Sequence, residues 1–237
     1  MNVLALETSG TSLGAAVIEK GRVLASSFLD RGYLHAERLM PTVDSLCGDL
    51  GLRPEDIDLI AVSAGPGSFT GLRVGVTTAR TLAWSLGARL VAVSTFDVLA
   101  YSARLHRGTV GCLLDARRGA VFASFYDFSQ RPAPADIPGA RQGKSARLDM
   151  EGLASELRGR ADEDVVLVGP AVAVLGPRIE EAISSPGAFR IAWGDHQVRP
   201  EALGLLALLL AQRGQSDDPM RLEPDYLRPP GVGRRRA

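Results

Sequence analysis

Residues 57–75 read IDLIAVSAGPGSFTGLRVG, an apolar run followed by a glycine-rich turn and the start of an amphipathic stretch. The run Ile57–Ser63 has the length and continuity of a strand buried on both faces of a parallel sheet. Ser68 is a residue type that commonly caps helices, so the sequence predicts a helix from Ser68 to Leu86. A strand, a tight turn and a helix in this order form one unit of an α/β fold.

The turn contains Gly65, Gly67 and Gly71, which allow the backbone to approach a neighbouring group closely. Two interpretations are open: an anion site at the helix start, or a loop that packs the helix against the rest of the chain. The turn lacks the Gly-Lys-Ser/Thr ending of a phosphate-binding loop. It also lacks the acidic residue about twenty positions downstream that a dinucleotide-binding strand provides.

The segments around this unit predict two similar halves. Three short runs with strand character, separated by turn residues, open the chain at Val3–Leu6, Leu13–Glu19 and Arg22–Leu29. A helix at about 35–50 follows them, and a strand at Arg89–Val93 leads into a helix capped at Ser94 or Thr95. The order β-β-β-α-β-α-β is typical of half of an actin-like or ribonuclease-H-like protein.

The pattern then starts again, more loosely. Strands are predicted at Val110–Leu114, Ala120–Asp127 and Val165–Val168, and helices at about 149–158, 171–183 and 201–213. Residues 128–148 contain three prolines and are predicted to be irregular. We therefore predict an α/β, two-lobed actin-like fold of the ASKHA type, a ribonuclease-H-like duplication in which each lobe is a mixed sheet with helices. The first lobe would comprise residues 1–100 with the returning segment 201–237, and the second, degenerate lobe residues 101–200.

Composition excludes several classes of protein. The 27 basic and 27 acidic residues balance, so no global positive field attracts nucleic acid. Two cysteines are too few for a disulfide framework or a four-sulfur zinc site. The N-terminus has no basic leader, and the longest apolar run, Ala202–Ala211, is too short to span a bilayer. We expect a cytoplasmic protein that does not associate with membranes.

Five segments together carry a specific resemblance. They are Glu7-Thr-Ser, His35-Ala-Glu-Arg-Leu-Met-Pro41, the turn from Gly65 to Arg73, Asp115-Ala-Arg117 and Pro224-Asp-Tyr-Leu-Arg228. Over most of its length the chain resembles the TsaB family, also called YeaZ, the non-catalytic component of the bacterial machinery that makes threonylcarbamoyladenosine in transfer RNA. The resemblance implies a partnership with the catalytic paralogue TsaD and the ATPase TsaE, a homodimer in isolation, contact with transfer RNA only through the complex, and no cofactor.

An alternative function is nucleotide hydrolysis, because actin-like ATPases place an acid at the end of the first strand of each half to position magnesium and the attacking water. Glu7 and Asp115 occupy those two places. Neither turn continues with the acid-x-glycine-hydroxyl pattern, and Arg117 and Arg118 are bulky where backbone should approach phosphate. A turn cap, or a salt bridge from Asp115 to an arginine, is the structural alternative. The candidate residues, expected to bind nucleotide weakly, are Glu7, Thr8, Ser9, Thr11 and Asp115.

The sequence lacks the residue patterns that metal binding and peptidase catalysis require. By the resemblance, the catalytic paralogue holds a metal with two histidines four positions apart on a helix. Here the histidines are His35, His106 and His196, and Leu39 stands where a second ligand would follow His35. We predict no catalytic residue and no metal, with His35 at the surface or an interface. A sugar-kinase-type ATPase and a glycoprotease-like peptidase remain alternatives, although no nucleophile-elbow pattern is present.

The second predicted helix is apolar on more than one side, which predicts either a partner or a cover by the helix at 201–213. The resemblance implies that the first two helices pack against the equivalent helices of TsaD. We expect a larger side chain at Gly75 to weaken that contact without unfolding the monomer. The candidate partner-binding residues are His35, Glu37, Arg38 and Met40 on the first helix and Phe69, Gly71, Leu72, Gly75, Val76 and Ala79 on the second.

Overall fold

The computed structural model describes residues 1–32, 34–183, 189–191 and 196–227, so Arg228 and the rest of the C-terminal segment to 237 lie outside the described residues. The described chain contains two five-stranded sheets. The first has the order β3-β2-β1-β4-β5 and is built from β1 (Asn2–Glu7), β2 (Leu13–Glu19), β3 (Arg22–Leu29), β4 (Leu59–Gly65) and β5 (Arg89–Ser94).

The second sheet repeats this plan in the order β10-β9-β6-β7-β8. In both sheets the first strand in sequence pairs antiparallel with the next strand and parallel with a later one, as β1 does with β2 and β4. The predicted duplicated α/β fold is therefore confirmed. The lobe boundaries at residues 100 and 200 stay a prediction. The strands are β6 (Thr109–Asp115), β7 (Val121–Asp127), β8 (Arg141–Leu148), β9 (Val165–Val168) and β10 (Arg190–Ile191).

Six helices cover the sheets: α1 (His35–Asp49), α2 (Phe69–Leu86), α3 (Thr95–Ser102), α4 (Met150–Arg158), α5 (Pro170–Ile183) and α6 (Pro200–Gln212). Successive residues of a strand face opposite sides of a sheet, so Leu4 and Leu6 pack with α1 and α2, whereas Val3 and Ala5 pack with α3 and α6. Helices α4 and α5 cover the outer face of the second sheet. Helix α6 therefore lies on the far side of the first sheet from α2, and the alternative in which it covers α2 is wrong.

The prediction that residues 128–148 are irregular is wrong for their second half. Residues Pro134–Ala140 form a 3₁₀ segment, and Arg141–Leu148 form β8, which pairs antiparallel with β7 at the sheet edge. The side chains of β8 are half-buried or exposed, so this strand lacks the apolar alternation that identifies strands in sequence. Backbone hydrogen bonds to β7 stabilise β8 instead. The short β10 is likewise not predicted. No described helix has the length and hydropathy needed to cross a bilayer.

Candidate functional site

The glycine-rich turn packs α2 onto the turn that follows β1. A Cβ at Gly67 would overlap the carbonyl oxygen of Ser9, and a Cβ at Gly71 would overlap that of Thr8. The backbone N–H of Ser68 donates to the Ser9 carbonyl at 2.6 Å, and the Ser68 hydroxyl accepts from the Gly71 N–H at 3.3 Å, as the predicted cap requires. Protein backbone therefore occupies the space beside these glycines, which supports the helix-packing interpretation over the anion site.

Glu7 is fully buried where β1 meets β4. Its carboxylate accepts hydrogen bonds from the Ser9 N–H at 2.7 Å and from the hydroxyls of Ser9 and Ser63. Burial raises the pKa of Glu7 above its ordinary value, although the bonds from Ser63 and Ser9 act in the opposite direction. A carboxylate that positions magnesium must be open to an ion that also contacts phosphate, and Glu7 instead links two strands of the first sheet.

Thr8 and Ser9 are also buried, whereas Thr11 is exposed. The Thr8 hydroxyl donates to the carbonyl of Gly71 at 2.8 Å, so it is committed to holding α2. Glu7, Thr8 and Ser9 therefore pack the first lobe together, and weak nucleotide binding by these residues stays a prediction. Sequence alone does not reveal this, since the contacting glycine lies more than sixty residues away in the chain.

Asp115 lies at the exposed end of β6 and forms the salt bridge that was the structural alternative. Its carboxylate accepts from the Arg117 N–H at 2.7 Å and lies 3.7 Å from the Arg117 guanidinium. Arg117, Arg118 and Gly119 all have positive φ angles, which close a tight turn between β6 and β7. The arginines therefore occupy the hairpin tip where an actin-like ATPase would present bare backbone to phosphate.

His35 is 2% exposed, so its prediction as a surface or interface residue is wrong. A Cβ at Gly71 would lie 3.2 Å from the His35 Nε2, which places the ring under the start of α2. Burial lowers the pKa of His35, and a hydrogen bond with the backbone of Gly10 opposes that change. His35 therefore packs between the β1–β2 turn and α2.

The burial of His35 predicts a pH dependence of stability. Its pKa in the folded chain lies below the ordinary value of 6.5, so below that pH the unfolded chain takes up a proton that the folded chain resists. We expect the free energy of unfolding of the wild type, relative to His35→Gln, to be constant above about pH 6.5 and to fall below it. Urea denaturation of both proteins at several pH values measures this difference. A difference that grows as the pH falls would contradict the placement of His35.

The predicted partner-binding residues divide into two groups. The side chains of Leu72, Val76 and Ala79 are buried in the core beneath α2, and Gly71 and Gly75 are also buried. A Cβ at Gly75 would overlap the Thr8 hydroxyl, so a larger residue there would strain the packing of the monomer itself. These residues, with His35, position the two helices and do not present side chains to a partner.

The remaining predicted residues are accessible, and two more join them. Met40 is 43% exposed and Phe69 37%, while Trp84, which is not among the predicted residues, is 71% exposed. The Arg73 guanidinium lies 4.1 Å from the centre of the Phe69 ring. The spacing of Arg73, Thr77 and Trp84 along one exposed line of α2 is the helical signal that would have identified this face. We call the following set the helix-pair surface: Glu37, Arg38, Met40, Phe69, Arg73 and Trp84.

The C-terminal segment is held against α2 and the glycine-rich turn. The Arg80 guanidinium donates to the carbonyls of Pro219 and Met220 at 2.6 and 3.0 Å. The Tyr226 and Phe69 rings lie 5.0 Å apart. A Cβ at Gly65 would overlap the carbonyl oxygen of Asp225, so two of the segments that carry the family resemblance contact each other.

Within the described residues, no group of three or more His, Cys, Asp or Glu side chains is arranged to hold a metal ion.

Comparison with known proteins gives the family. A family model described as "TsaD: tRNA N6-adenosine threonylcarbamoyltransferase" matches residues 32–229. The Bacillus subtilis (strain 168) protein "tRNA threonylcarbamoyladenosine biosynthesis protein TsaB" is 33% identical over 228 residues, which cover 96% of this chain and 94% of that protein. The chain belongs to the TsaB family. The resemblance first seen in the five sequence segments is thereby confirmed.

Solved structures agree with the TsaB family assignment. YeaZ from Pseudomonas aeruginosa has a TM-score of 0.76 and 28% identity, with 95% of this chain and 99% of that chain covered. The activator of 2-hydroxyisocaproyl-CoA dehydratase from Clostridium difficile has a TM-score of 0.50 and 13% identity over 91% of this chain and 97% of that chain. This second likeness shows the fold alone, and it is the actin-like duplication predicted from the order of strands and helices.

Proposed function

We propose that this TsaB-family chain is a non-catalytic, cytoplasmic subunit that supports TsaD in making N6-threonylcarbamoyladenosine next to the anticodon of transfer RNA. Membership of the family supports the pathway, since the Bacillus subtilis relative is named for that biosynthesis. The observation that carries the non-catalytic role is the complete burial of Glu7, the residue that stands where an actin-like ATPase places its magnesium-positioning acid. Its carboxylate oxygens accept hydrogen bonds from Ser9 and Ser63.

The helix-pair surface is the proposed contact with TsaD. Because a TsaD model matches residues 32–229 of this chain, the two proteins have corresponding helices that can meet about a pseudo-twofold axis. Exposed Met40, Phe69 and Trp84 supply apolar anchors, and charged side chains surround them, which is the usual composition of a specific interface. In isolation the same surface would form a homodimer, TsaE would join the complex, and transfer RNA would contact the chain only through the complex.

The proposed function is tested by reconstitution. We expect the chain to co-purify with TsaD, and threonylcarbamoyl transfer to transfer RNA by TsaD, with TsaE and the threonylcarbamoyl adenylate present, to depend on adding the chain. Omitting the chain while keeping every other component is the control. Undiminished transfer without it, or a failure to bind TsaD, would contradict the proposal.

The ATPase alternative is tested at Glu7. We expect Glu7→Gln to fold and to lose less than about 1.5 kcal/mol of unfolding free energy, because glutamine keeps the shape and an acceptor for the Ser9 N–H. Chemical denaturation measures that loss, and a phosphate-release assay with magnesium and ATP measures turnover. Turnover by the wild type that disappears in folded Glu7→Gln would establish the ATPase in place of the scaffold.

A further inference from the structure

A cavity of about 310 Å³ lies where the two sheets meet. Its first-sheet wall includes Pro66 of the glycine-rich turn and Ser94 at the end of β5. Its second-sheet wall includes four residues of β8, namely Arg141, Gly143, Lys144 and Ser145. None of the five candidate nucleotide-binding residues is among the described residues that line it. The cavity therefore adjoins the glycine-rich turn without including those five residues, and its volume is at the lower end of the range for small-molecule sites.

The charge of Arg141 is already compensated. Its guanidinium donates to the Asp97 carboxylate at 2.7 Å and to the Tyr126 hydroxyl at 3.1 Å, and that hydroxyl donates to Asp97 at 2.6 Å. These bonds join α3 to β7 and β8, which holds the two walls of the cavity in place. Because the charges of Arg141 and Asp97 offset each other, the other charged residues set the electrostatic potential of the cavity.

Two opposite charges line the cavity without pairing. Lys144 and Asp225 are both exposed, and neither forms an ion pair within the described part of the chain. Their charged atoms are more than 4.0 Å apart. A ligand with one negative and one positive group would complement both charges at once.

A buried hydroxyl adds a second indication of a ligand. The Ser145 Oγ is shielded from solvent and has no hydrogen-bond partner in the described structure, whereas buried hydroxyls normally have one. Ser94 precedes α3 without making a side-chain cap bond, so its hydroxyl is also uncommitted to the helix. The half-buried Leu227 provides apolar surface beside these polar groups.

We propose that this cavity binds a small zwitterion of the α-amino-acid type. The ligand carboxylate would lie at Lys144 and Ser145, its ammonium group at Asp225, and its side chain against Leu227. This site goes beyond the proposed scaffold function and does not depend on it, since binding is measured on the isolated chain.

The test is isothermal titration calorimetry of the full chain with phenylalanine, 3-phenylpropionate and phenethylamine as probes. The last two each lack one of the two charged groups. We expect phenylalanine to bind, and each of the others to bind about tenfold more weakly, because each leaves one charge of the cavity without a partner. Equal affinity for phenylalanine and either single-charge probe would overturn the zwitterion assignment, as would the absence of phenylalanine binding.

Variants locate the binding. Lys144→Met and Asp225→Asn are expected to weaken phenylalanine binding about tenfold each, and both side chains are exposed, so the fold should persist. The matched control is Lys20→Met, since Lys20 is the other lysine of the chain and lies in the exposed turn between β2 and β3. Unchanged affinity in folded Lys144→Met, or an equal loss in Lys20→Met, would place the ligand elsewhere and overturn the proposal.

Discussion

Gly71→Ala is expected to destabilise the isolated chain by about 2–3 kcal/mol, although the change adds a single methyl group to a helix. The new Cβ would overlap the carbonyl oxygen of Thr8, which is backbone and cannot move aside as a flexible side chain would. Relief requires α2 to shift away from the first sheet, which loosens the packing of Val76 and Ala79. Urea denaturation followed by circular dichroism measures the change.

Gly48 provides the matched control. It lies in α1, and nothing is within 4 Å of the position that its Cβ would take. Gly48→Ala is therefore expected to stabilise the chain by about 0.5–1 kcal/mol, the usual difference between the two residues in a helix. If Gly71→Ala were as stable as Gly48→Ala, the glycine-rich turn would not pack α2 against the β1–β2 turn, and the anion-site interpretation would regain support.

Met40→Asp is expected to weaken the association with TsaD at least about tenfold while leaving the monomer folded. Met40 is 43% exposed on α1, so its replacement perturbs the core little. In the proposed complex the new carboxylate would be buried without a partner, which costs more than the lost apolar contact alone. Calorimetry with purified TsaD measures the affinity, and light scattering measures the accompanying loss of the homodimer.

The control for Met40→Asp is Val174→Asp. Val174 is 72% exposed on α5, which covers the outer face of the second sheet, so this variant adds the same charge to an exposed apolar position away from the helix-pair surface. We expect its affinity for TsaD to match that of the wild type. Equal weakening by both variants would indicate a general effect of charge and would count against the helix-pair surface.

The sequence predicts those parts of the fold that depend on local pattern. The hairpins of the first lobe, the cap at Ser68 and the buried strand that becomes β4 all follow from residues close together in the chain. Strand β8 escapes prediction because its side chains are mostly exposed and pairing with β7 stabilises it. A strand that is stabilised by backbone pairing alone has no alternation of apolar and polar residues from which it could be predicted.

The role of the candidate site is harder to predict because it depends on contacts between residues that lie far apart in the sequence. The spacing of glycines shows that something approaches the turn closely, but the same spacing serves phosphate or protein backbone. Only the fold shows that the approaching atoms are the Thr8 and Ser9 carbonyls. Similarly, the sequence position of Glu7 at the end of β1 is compatible with an ATPase. Only the fold shows that the Ser63 hydroxyl of β4 donates a hydrogen bond to it. His35 at a helix start also gives no local sign of its burial beneath Gly71.

The most direct test of the scaffold role compares Met40→Asp with Glu7→Gln in one reconstituted assay of threonylcarbamoyl transfer by TsaD, after circular dichroism has shown both to be folded. At chain concentrations near the dissociation constant of the wild-type complex, we expect Met40→Asp to lose most of the stimulation of TsaD and Glu7→Gln to retain most of it. The reverse order, with full stimulation by Met40→Asp and none by Glu7→Gln, would move the functional centre from the helix-pair surface to the end of β1 and contradict the non-catalytic role.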